Sequence, residues 1–137
     1  MFKSRIANKL MLFLVISFSL IMLVKSIALA RNIERYDLII PPFGQTAFTA
    51  PTSKVNYSRG VDNNSSIGGG YAQYTAIYRG NTLQVTEKVE IRSGDRVLLP
   101  YLPGQNLPGE GYRLGHTSKL TTYVRVQAQG TWSPDEY

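Results

Sequence analysis

The chain has 137 residues, 43% of them hydrophobic, a formal net charge of +6 and no cysteine. That length supports one hydrophobic core, and the composition excludes disulfides, thiolate metal sites and thiol nucleophiles. Residues 1–30 hold Lys3, Arg5, Lys9 and Lys25 and no acid, so residues 31–137 carry eleven bases against nine acids, a net charge of +2; those bases are scattered singly from Arg31 to Arg125, which excludes a basic nucleic-acid-binding stripe.

The chain opens with Lys3, Arg5 and Lys9, followed by an apolar run from Leu10 to Val24 interrupted only by Ser17 and Ser19. Ala28 and Ala30 then supply the small residues of a peptidase site. This three-part layout predicts an N-terminal signal helix, residues 1–30, that is cleaved, leaving a secreted, extracellular product. The alternative is an uncleaved anchor with the domain outside the membrane. The run is shorter than the ~20 residues a span needs, but Lys25 could snorkel and let Ile27–Ala30 extend it. In either case the membrane is met only through this segment.

Beyond it, short stretches rich in Tyr, Val, Thr and Ile are cut by Gly, Pro and Asn, a strand pattern. Tyr36–Ile40 reads as a first strand stopped by Pro41 and Pro42. Arg59–Gly70, with its Asn, Ser and three glycines, reads as a loop. Tyr71–Tyr78 and Leu83–Arg92 read as a hairpin around the turn Arg79–Thr82. Within Leu83–Arg92, Glu87 falls on the apolar face and is expected to be partly buried. Val97–Tyr101 is a further strand, Pro100–Gly111 a Pro/Gly connection, and Tyr112–Leu114 a short edge strand. Tyr123–Gln129 alternates most cleanly, with Val124, Val126 and Ala128 on one face, and is expected to lie centrally in its sheet. Trp132 should cap the core as that strand leaves, and Asp135–Tyr137 should form a wet tail. The fold class is all-β: a small antiparallel β-sandwich forming a single domain over residues 31–137.

The inventory of reactive groups is thin. His116, the single histidine, reads as an exposed turn residue without the partners a triad or a metal site requires. No pair of carboxylates faces across a common cleft. Asp62, Asn64 and Ser66 match the start of a calcium loop, but Ile67 and Gln73 occupy its diagnostic glycine and glutamate places. No enzyme activity, cofactor or metal is therefore expected. Asn56-Tyr57-Ser58, Asn63-Asn64-Ser65 and Asn64-Ser65-Ser66 fit the glycosylation sequon, which matters only in a eukaryotic secretory route. Tyrosine is in excess: Tyr74 and Tyr78 share one strand face, and aromatics there either form a platform for sugars or proteins or pack within the fold. The candidate binding residues are Tyr74, Tyr78, Tyr123, Arg125 and Trp132.

The ending Tyr123–Tyr137, with Gly130, Trp132, Pro134, Asp135 and Glu136, resembles the small secreted lactococcin-type β-sandwich bacteriocins of Gram-positive bacteria and their uncharacterised exported relatives. The resemblance implies a secreted sandwich that targets a cell-wall precursor, lipid II, and it carries over no catalytic residue. The expected function is non-enzymatic, bacteriocin-like binding at the cell envelope, the partner being an envelope component or a protein. The alternative is an exported or membrane-anchored accessory module that binds cell-wall glycan or a partner protein.

Overall fold

The computed structural model describes residues 5–9, 11 and 30–137. Residues 5–9 are helical; most of the predicted signal segment, with its apolar run and Ala28, lies outside the described residues. Among the described residues no helix is long and apolar enough to cross a membrane.

Residues 34–133 build ten strands in two antiparallel sheets packed face to face, the expected sandwich. The four-stranded sheet runs β1 (Glu34–Ile40), β10 (Val126–Ser133), β4 (Gly60–Ile67), β8 (Arg96–Leu99). The six-stranded sheet centres on β9 (Gly111–Ser118) and β5 (Gln73–Arg79). Beside β9 lie β2 (Thr46–Phe48) and β3 (Thr52–Ser53); beside β5 lie β6 (Leu83–Gln84) and β7 (Val89–Ile91). The facing sides bury Tyr36, Ile40, Val126, Ala128 and Trp132 from one sheet against Ile77, Ile91, Tyr112 and Leu114 from the other.

Five expectations change. Residues 59–70 are mainly strand, not loop. Val61, Asp62 and Asn64 of β4 are buried while Asn63, Ser65 and Ser66 face solvent. A β-bulge explains why alternation hid this strand. Gln129 pairs with Ser66 and Gly130 with Asn64, leaving Ser65 extra. The inward set therefore shifts from even numbers (Asp62, Asn64) to Ile67. Leu83–Arg92 is not one strand. It breaks between β6 and β7 where Val85 is buried and Thr86 bridges Tyr101, and Glu87 is exposed rather than buried. The short edge strand at Tyr112–Leu114 is the beginning of the eight-residue central strand β9, which takes in His116. The last strand starts later than its alternation indicates: Tyr123, Val124 and Arg125 lie in an exposed approach, and Trp132 sits within β10 as part of the core. β10 is central, as expected, between β1 and β4. Finally, Asp135 is fully buried; only Tyr137 of the predicted wet tail is strongly exposed.

Candidate functional site

His116 lies in the middle of the sandwich with no exposed surface, not in a turn. Its position follows from register: β9 pairs Thr75 with His116 and Tyr74 with Thr117, which sends the imidazole inward beside Thr75. Its Nε2 is 2.7 Å from Asp62 Oδ2 and its Nδ1 2.9 Å from Gln73 Oε1. Asp62 also accepts from Tyr36 Oη at 2.7 Å and from Thr75 Oγ1 at 2.7 Å. Asn64 Nδ2 in turn donates to Tyr36 Oη at 3.0 Å. Three donors on one carboxylate satisfy a buried charge that would otherwise be costly. Both ring nitrogens are therefore hydrogen-bonded, and the role of Nδ1 follows the orientation of the Gln73 amide. Burial, with the Asp62 charge second, drives the Tyr36 hydroxyl far above its ordinary pKa, so it stays a donor.

A second buried network closes the other end of the sandwich. Lys54 Nζ donates to Asp135 Oδ1 at 2.8 Å and to Pro134 O at 2.9 Å, and also to Ser58 O. Asp135 Oδ2 accepts from Val55 N at 2.8 Å, and the Tyr101 ring lies 4.3 Å beneath the ammonium. All three ammonium hydrogens have acceptors, so the group is locked rather than poised to react. Desolvation still lowers the Lys54 pKa, partly offset by Asp135.

Neither network offers a reacting substrate an approach, because its charged groups are fully buried. Among the described residues no group of three or more His, Asp or Glu is placed to hold a metal. The surface offers more. The outer face of the four-stranded sheet carries an open trough of about 500 Å³, lined by Arg35, Asp37, Ser65, Gln129 and Thr131, with Tyr36 and Gly130 also lining it. Gln127 Nε2 and Gln129 Nε2 donate to the two carboxylate oxygens of Asp37, at 2.8 and 3.2 Å. Those amides hold its pKa below the ordinary carboxylate value. The bulge at Ser65 interrupts the ladder beside this trough.

The five candidate binding residues do not converge. Tyr74 is half-buried on the outer face of the six-stranded sheet, in a cleft with Lys88 and Leu120. Tyr78 shares that face but is buried, meeting Phe48 edge-on with ring centroids 5.0 Å apart. Gly115 makes room for this pair: a Cβ there would meet the Tyr78 ring at 2.5 Å and that of Phe48 at 3.1 Å. Tyr123 and Arg125 are exposed in the approach to β10, and Trp132 is core. Composition hid Arg35, Asp37, Ser65 and Gln129. The signal for Gln129 was the polar half of an alternating strand, which ordinarily means only a solvated face, and Ser65 lay in a stretch read as a loop.

No protein-family model matches the chain, and no curated protein matches it.

Proposed function

We propose that residues 31–137 are an exported, non-enzymatic, bacteriocin-like binding module of the cell envelope, and that the trough on the four-stranded sheet is its glycan face. One observation carries this: Asp37 is held in place by two glutamine amides at the trough's edge, with Arg35, Ser65 and Thr131 around it. A carboxylate, a guanidinium, an amide and hydroxyls in one open concavity suit the adjacent hydroxyls of a sugar, which ask for a donor and an acceptor side by side. The burial of His116 and Asp62 supports binding over catalysis, since the single imidazole is spent inside the fold. The resemblance to the lactococcin-type proteins rests on the strand that supplies Gln129, Gly130 and Thr131 to the trough.

The test is sedimentation of residues 31–137 with purified cell-wall sacculi and titration with lipid II, beside a growth-inhibition assay on Gram-positive cells. Binding that falls about tenfold in Asp37→Ala is expected, the loss of one charged hydrogen-bonding group. No binding to either envelope preparation would remove the reading. Binding without inhibition would leave the glycan face and remove the bacteriocin-like part. N-terminal sequencing decides between release and anchoring: a chain starting at Arg31 means release, an intact Met1 in membranes an anchored module.

A further inference from the structure

Two loops close one end of the sandwich and display apolar side chains outward. Phe43 is 59% exposed, Leu120 80% and Tyr123 69%. The loops are joined: Phe43 N donates to Thr122 O at 2.9 Å, and Gly44 N to Ser118 Oγ at 3.0 Å. A Cβ on Gly44 would lie 2.8 Å from Leu120 Cδ2, so Leu120 packs against the residue that follows Phe43. The outward aim of Phe43 has a backbone cost. Its φ is +60°, and it is the one described residue other than glycine with positive φ. A bulky aromatic in the left-handed region is disfavoured, so such an outlier on the surface points to a use.

Beside this tip lies a cleft of about 270 Å³, lined by Leu120, Tyr74, Lys88, Thr117 and Ser118. Lys119 Nζ sits 5.7 Å from the centre of the Tyr74 ring. Lys88 lines the cleft; Lys119, Glu90 and Arg92 lie beside its Tyr74 wall. Glu90 is held by Arg92 at 2.9 Å and Lys119 at 3.2 Å, and Asp95 accepts from Arg92 N at 2.9 Å. One acid, Glu90, thus faces two cations, and Lys88 adds a third at the cleft.

We propose that this tip docks on the surface of an anionic phospholipid bilayer, with Phe43 and Leu120 entering the apolar layer and the Lys88 cleft receiving a phosphate headgroup. The chemistry selects the occupant: exposed Phe43 and Leu120, exposed Tyr123 and a lysine at the adjacent cleft are the apolar, tyrosine and cationic groups that a membrane interface takes up. The tip also lies at the far end of β1 from Ala30. Glu34, at the start of β1, pairs with Trp132, whereas Ile40, at its end, pairs with Val126 near the tip. Ala30 therefore leaves from the opposite end, and the proposal does not depend on the glycan face.

The experiment uses residues 31–137, the product expected from cleavage, since among the described residues the hydrophobic core runs from Tyr36 to Trp132. The protein is sedimented with vesicles of phosphatidylcholine alone and of phosphatidylcholine mixed with phosphatidylglycerol. Binding to the mixed vesicles is expected. It should fall about tenfold or more in Phe43→Gly/Leu120→Ser, which removes two inserted side chains. Glycine accepts φ of +60° without strain, so this variant should fold, as circular dichroism would show. Lys88→Glu should abolish the preference for phosphatidylglycerol. Three results overturn the proposal: no binding to either vesicle, unchanged binding by the double variant, or a dimer in solution that the double variant dissolves, which would make a second copy the occupant.

Discussion

Gly130 sits where three groups crowd one backbone position. A Cβ there would lie 2.5 Å from Asn63 O, 2.7 Å from Tyr36 Oη and 2.9 Å from Asn64 Cα. Two of these are backbone atoms of β4, which cannot swing aside. The third is the hydroxyl that links Asp62 to Asn64. Gly130→Ala should therefore displace the strand pairing at the bulge as well as the Tyr36 hydrogen bonds, at a cost of about 1–3 kcal/mol, typical of overpacking. Urea unfolding should show a lower midpoint at unchanged slope. A midpoint equal to wild type would mean that the bulge relaxes freely.

At the scale of elements, the clasp of Lys54 and Asp135 joins the segment after β3 to the segment after β10. Arg59 adds an exposed pair to Glu136 at 3.0 Å, and Tyr101 Oη holds Pro134 O at 2.6 Å. The buried pair matters more than the exposed one, because a surface ion pair contributes little. Lys54→Met strands a buried carboxylate and should cost about 3–5 kcal/mol. Adding Asp135→Asn should recover part of the loss, since an amide oxygen can still accept from Val55 N. A double-mutant cycle by urea unfolding checks this; strictly additive losses would show the two groups to be uncoupled. The same clasp shows where sequence reading stops. β10 was legible because one wet and one dry face write a period of two. β4 was not, because its inward residues Asp62 and Asn64 are polar and the bulge at Ser65 shifts the phase. Asp135 and His116 looked exposed because burial of a charge depends on partners distant in the chain: Lys54 for one, Asp62 for the other. The trough was equally hidden, since Arg35, Ser65 and Gln129 come from three separate strands.

For the whole molecule, burial raises the pKa of Tyr36 and of Tyr101 well above the ordinary 10.0. In both cases burial is the largest cause. A nearby acid adds to it, Asp62 for Tyr36 and, behind Tyr112, Asp135 for Tyr101. A folded value above the unfolded one gives stability that is fully present below about pH 10 and is lost as pH rises beyond it. Lys54, lowered by desolvation, acts with the opposite sign, its burial penalty easing as pH approaches 10.5. Two tyrosines outweigh one partly compensated lysine, so cooperative unfolding is expected in the alkaline range, with tyrosinate from Tyr36 and Tyr101 appearing only as the fold is lost. Tyr101→Phe should move that transition to higher pH. Tyrosinate absorbance at both positions preceding the loss of circular dichroism would contradict this.

The place of β10 has a consequence for how the chain comes to be folded. β1 and β4 are neighbours only through it, and the clasp that seals their end needs Asp135. Synthesis delivers the N-terminal end first, so for most of that time the four-stranded sheet lacks its middle. Lys54, meanwhile, waits for a counter-ion 81 residues away. Pairings this distant form late and slowly. The four-stranded sheet therefore cannot close until residues 126–135 are present, and β10 enters it last, like a keystone set into an arch.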